Sequence, residues 1–97
     1  MKSYLTIIHA NQPEMLIRFK DKATHWLPEF TFRPSNKIYQ PPNVICTTKS
    51  IILELIKVLI IENKLQYDKI FWIDASNQIA ICYTFDKQGN FNNFFRI

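Results

Sequence analysis

The sequence predicts an α+β domain with two helices packed on one face of an antiparallel or mixed sheet. Three observations carry that expectation: a helix-like apolar run from Lys49 to Leu65, three closely spaced alternating segments after it, and a first apolar strand separated from a second helix-compatible stretch by Asn11 and Pro13. The predicted order is β-α-β-(β)-α-β-β-β, closing in a C-terminal three-strand meander. At 97 residues, with 47% hydrophobic and 14% aromatic content, the chain has material for one core, so residues 1–97 are expected to form a single domain.

Each element has a local reason. Lys2 to His9 alternates with apolar residues on both faces, as an interior strand does. Asn11 offers an N-cap, Pro13 suits a first helical turn and Glu14 favours its positive end, so a helix is expected from about Pro13 to Leu27, stopped by Pro28. Its core stripe would be Met15, Leu16, Phe19, Ala23, Trp26 and Leu27. Glu29 to Arg33 alternates strictly around Phe30 and Phe32, and Asn43 to Thr47 is a further short strand; Ile38 to Gln40 is a candidate between them. In Lys49 to Leu65, capped by Thr47 or Thr48, Ile51, Leu55, Val58 and Leu59 cluster on one side. Ile52, Ile56 and Ile60 extend the apolar surface, leaving a narrow strip for water. Such a helix is expected at the centre of the fold or against a second protein.

The last three strands are predicted at Lys69 to Asp74, Gln78 to Phe85 and Phe91 to Arg96. Ser76-Asn77 and Lys87-Gln88-Gly89-Asn90 supply the turns, the latter compatible with a type I turn and a glycine bulge.

Composition excludes several function classes. With Gly89 the only glycine, there is no Walker A loop, dinucleotide fingerprint or nucleophile elbow. His9, His25, Cys46 and Cys82 fall at no zinc-ligand spacing, so neither metal nor cofactor is expected, and both cysteines are expected as free, buried thiols. No signal peptide is visible and no run reaches the roughly 20 apolar residues of a membrane span, which points to a cytoplasmic protein with no membrane partner.

The formal charge of +4 is uneven. Through Lys49 seven basic residues face three acidic ones; from Ser50 onward five of each cancel. An acidic partner would therefore meet the N-terminal half, with Arg18, Lys22 and Arg33 as candidate contacts. The C-terminus is unusually apolar, which adds Phe91, Phe94 and Arg96 as candidates on an edge strand.

These features favour a small non-enzymatic module that binds a larger protein and inhibits or neutralises it by steric occlusion, as immunity proteins and phage-encoded inhibitors do. The alternative is a small basic RNA-binding protein or ribonuclease toxin, with His9 and His25 as an acid/base pair. A second alternative is a homodimeric structural subunit.

Overall fold

The computed structural model describes residues 3–28 and 37–97. A six-stranded mixed sheet runs in the order β2-β3-β1-β4-β5-β6. Its strands are β1 (Leu5–His9), β2 (His25–Leu27), β3 (Val44–Thr47), β4 (Ile70–Asp74), β5 (Ile81–Phe85) and β6 (Phe91–Arg96). The first four are mutually parallel; β4-β5 and β5-β6 are antiparallel and form the expected meander. A 3-10 helix (Pro13–Lys22) follows β1, α1 (Ile51–Ile61) follows β3, and a short 3-10 turn (Tyr67–Lys69) leads into β4.

The α+β class and the mixed sheet are as the sequence predicts, but the two helices lie on opposite faces instead of one. Successive strand residues point to opposite sides, and the core divides accordingly. Leu5, Ile7, Ile45, Ile70 and Trp72 pack with Ile52, Ile56, Leu59 and Ile60 of α1. Ile8, Cys46 and Ile73 pack with Met15, Leu16 and Phe19 of the 3-10 helix. Chirality gives the reason. The β1-to-β2 crossover travels toward one edge and the β3-to-β4 crossover toward the other, and two right-handed crossovers in opposite directions must use opposite faces.

The first helix also ends earlier than predicted. Its last residue is Lys22, and the next residues join the sheet: Thr24 donates its backbone N–H to the Val44 carbonyl at 2.8 Å and its Oγ1 accepts the Val44 N–H at 2.8 Å. His25, Trp26 and Leu27 then pair in parallel with Ile45, Cys46 and Thr47. Tertiary pairing overrides the helical continuation that the apolar spacing suggested. The predicted strand Glu29 to Arg33, including the candidate contact Arg33, lies outside the described residues, and residues 38–40 form a turn instead of a strand. Tyr39 is nonetheless buried in the α1-side core, and burial pushes its phenol well above the usual tyrosine range.

Helix α1 buries Ile52, Ile56, Leu59 and Ile60, whereas Ile51, Val58 and Ile61 are 64%, 47% and 62% exposed, so among the described residues it is covered on one side only. Its start is prepared by Thr47, whose buried hydroxyl accepts the Lys49 N–H at 3.0 Å. Its end is a Schellman arrangement: Lys64 N–H reaches Leu59 O at 2.9 Å and Asn63 N–H reaches Ile60 O at 3.0 Å, with Asn63 left-handed at φ 59°.

Cys46 and Cys82 are free and buried. No helix among the described residues is long and apolar enough to cross a membrane.

Candidate functional site

Two features beyond the core offer chemistry: the outer edge of the sheet and a crevice above the ends of β1 and β4. At the edge, all six residues of β6 are exposed. Phe91, Phe94 and Phe95 are 42%, 67% and 50% exposed, and the following Ile97 is 64% exposed. Among the described residues only one side of β6 is paired, to β5, so its other side presents main-chain donors and acceptors outward. The Phe94 N–H is met by its neighbour's side chain, Asn93 Oδ1, at 2.9 Å.

Strict alternation would put Phe91 with Asn93 and Phe95. A register shift between Thr84 and Phe85 instead pairs Phe85 with Phe91 and moves Phe91 to the Phe94 face. There both rings meet Tyr83, with centroids at 4.4 Å for Phe91 and 6.1 Å for Phe94. Arg96, two residues beyond Phe94, shares that face and is exposed. These three candidate contacts are thus brought together on the α1 side.

Arg18 and Lys22 lie on the 3-10 helix across the sheet, so the structure does not join them to the β6 group. Arg18 has a local task. Its guanidinium donates to the carbonyls of Gln78 at 2.6 Å, Asn77 at 2.7 Å and Ala75 at 3.2 Å, clasping the loop between β4 and β5. Lys22 is exposed, and neighbouring Lys20 stands over the Trp26 ring at 5.5 Å.

His9 and His25 are not brought together. His9 is in register with Thr47 of β3 and His25, on the far side of β3, with Ile45, so two strand spacings and two residues of rise separate them, about 12 Å. His25 Nδ1 instead approaches Thr24 Oγ1 at 3.1 Å.

The crevice, about 390 Å³, is lined by His9, Asn11, Ser50, Leu53, Trp72, Asp74, Ser76, Asn77, Tyr83 and Phe91. It opens where the parallel strands end and the two crossovers diverge, the place where open α/β sheets bind ligands. His9 and Asp74 are register partners on β1 and β4. The His9 ring stacks on Trp72 with centroids 5.5 Å apart, and its Nε2 is buried without a hydrogen-bond partner among the described residues. One oxygen of Asp74, Oδ1, accepts the Ser76 N–H at 3.0 Å. No hydrogen bond links His9 to Asp74 or Ser50 among the described residues.

Sequence reasoning missed Trp72, Asp74 and Tyr83 as a group. The available signal was that His9 and Asp74 each end a predicted strand, which becomes informative only once those strands are known to be parallel neighbours.

A larger hollow of about 600 Å³ is lined by Pro13, Glu14, Ile17, Lys20, Trp26, Leu27 and Pro28. Among the described residues no group of three or more His, Cys, Asp or Glu could hold a metal ion. Burial pushes the Cys46 thiol up to about 11 and also raises Cys82, which leaves neither as a ready nucleophile.

No family model, no curated protein and no solved structure matches the chain.

Proposed function

We propose that the chain is a non-enzymatic protein-binding module that takes up an extended segment of a larger protein along β6 and occludes that protein's own contacts. The observation that carries this reading is the exposed edge strand β6 with its three phenylalanines. Exposed edges usually carry lysine, proline, an inward charge or a bulge that discourages pairing; between Phe91 and Phe95 β6 has none of the first three, and its bulge is confined to the Phe91 end. Strand addition supplies main-chain hydrogen bonds for affinity and alternate side-chain contacts for selectivity. Phe94 and Arg96 would meet the incoming segment on one face and Phe95 on the other. The exposed stripe of Ile51, Val58 and Ile61 on α1 gives the same face a second apolar area.

The test compares wild type with Phe94→Lys as bait in nuclease-treated extract, followed by reconstitution of the captured protein from purified components. A one-to-one complex formed by wild type and lost with Phe94→Lys supports edge binding. Equal binding by both proteins would place the interface elsewhere. Sedimentation of purified wild type as a dimer that Phe94→Lys dissociates would replace the larger partner by a second copy. Recovery of nucleic acid alone, lost at raised salt, would overturn protein binding.

A further inference from the structure

We infer that the crevice at the ends of β1 and β4 is a recognition site for an organic cation, an alkylammonium or guanidinium group. This does not rest on edge binding by β6, although Phe91 borders both features.

Charge is the first argument. The chain carries twelve lysines and arginines, yet none of them is in the described lining of the crevice, which holds one carboxylate, Asp74. Asp74 forms no ion pair among the described residues. Its Oδ1 is fixed by the Ser76 N–H, which orients the carboxyl group and leaves Oδ2 to a ligand.

The walls supply the second argument. His9 stacked on Trp72 and Tyr83 stacked on Phe91 give the crevice two aromatic pairs. Aromatic faces carry negative quadrupole density and attract cations, more strongly where water is partly excluded. An aromatic wall beside an oriented carboxylate matches a group with a diffuse positive head on an apolar stem. Leu53 can receive the stem, and Asn11, Asn77 and Ser50 add neutral hydrogen-bonding groups.

An anion is the competing occupant, because Ser50, the N-cap of α1, lies on the crevice rim. Two donors of that first turn are already engaged: Ile52 N–H reaches Lys49 O at 3.3 Å and Leu53 N–H reaches Ser50 O at 3.0 Å. With those donors taken and Asp74 facing the same space, a phosphate would meet repulsion without a cradle. The buried Nε2 of His9 is the third argument. It has no hydrogen-bond partner among the described residues, which is costly for a buried polar atom, and in the tautomer with the ring proton on Nδ1 it can accept from an N–H of an ammonium or guanidinium.

The test is chemical-shift mapping of the intact ¹⁵N-labelled chain against four probes: n-butylammonium, an extended hexapeptide with one central lysine, the same peptide with norleucine at that position, and inorganic phosphate. The expected result is saturable shifts at His9, Asp74, Tyr83 and Phe91 with the two cationic probes, and none there with norleucine peptide or phosphate. Asp74→Asn keeps an oxygen for the Ser76 N–H, so it should fold, and it should weaken the cations about tenfold. Tyr83→Leu should weaken them about threefold, while Tyr83→Phe, which keeps the ring, should not. Tighter binding of the lysine peptide than of the free amine assigns the cation to a protein side chain, and the reverse assigns it to a small amine. Norleucine peptide binding as well as lysine peptide, phosphate shifting the same amides more strongly, or a folded Asp74→Asn that binds the cations unchanged would each overturn the proposal.

Discussion

The half of the sheet built on β1 and the half ending in β6 are made from similar amounts of apolar sequence and treat it in opposite ways. In β1, Leu5 and Ile7 are fully buried on the α1 side and Ile8 is 3% exposed on the other, because each face has a helix over it. In β6 every residue is exposed, with three phenylalanines among them. Parallel strands require crossovers, and the crossovers supply the covering layers; a meander closed by short turns brings no cover with it. Connectivity, more than hydrophobicity, decides which apolar strand becomes core and which becomes surface. Stability should therefore concentrate in the covered half, and the proposed edge binding in the other.

The sharpest way to break this contrast is to cut into the covered half. Ile7→Ala removes three carbons from a site with no solvent access, and a loss of about 2–5 kcal/mol is expected from the urea midpoint. Under about 1 kcal/mol would mean that the two-sided core is looser than its burial implies.

Gly89 tests where the meander is fastened to the rest. Its φ is +80°, and an added Cβ would stand 3.1 Å from the Lys57 Cα and 3.2 Å from the Lys57 carbonyl oxygen on α1. Backbone strain and a tight approach to the α1 backbone act together, so Gly89→Ala should cost about 1–3 kcal/mol by the same measurement. A neutral result would show that the turn can lift off α1 without consequence.

A smaller effect is expected from pH. Cys46 is fully buried between β1 and β2, and its thiol is held neutral up to about 11 against an ordinary value of 9.0. The unfolded chain ionises first, so this contribution is complete below about pH 9 and is lost as pH rises toward 11. Tyr39, raised for the same reason, acts in the same direction at higher pH. Urea midpoints at pH 8 and 10.5 should differ, and Cys46→Ala should reduce the difference.

The least effect on stability belongs to the uncovered half. Phe94→Lys should change the folding free energy by no more than about 0.5 kcal/mol, because the side chain is 67% exposed, while removing the proposed edge binding. A large destabilisation would show that the Phe94 ring holds Tyr83 in place and that β6 belongs with the core after all.

What the sequence disclosed follows the same division. The meander was legible because its signals are local: alternating residues, two short turns and a glycine where a positive φ is needed. The parallel half was legible as separate strands but not as a sheet. Nothing near His9 or Asp74 in sequence announces that they are neighbours, since 64 residues lie between them and the pairing depends on two crossovers. For the same reason His25 to Leu27 continues a helical pattern in sequence and becomes a strand only because β3 offers it a partner. The opposite placement of the helices was likewise a consequence of strand order, which no single segment contains. Of the candidate contacts, Phe91, Phe94 and Arg96 were singled out by the apolar composition of the chain's end, whereas the bulge that puts Phe91 beside Phe94 has no signal there.

The clasp of Arg18 on the carbonyls of Ala75, Asn77 and Gln78 has a bearing on how the crevice above Asp74 would hold anything at all. A loop tethered at three points from beneath has fewer alternative shapes to give up when its upper side is occupied. The entropy of ordering that rim is settled during folding instead of at the moment of contact, so a small ligand retains more of its interaction energy as affinity.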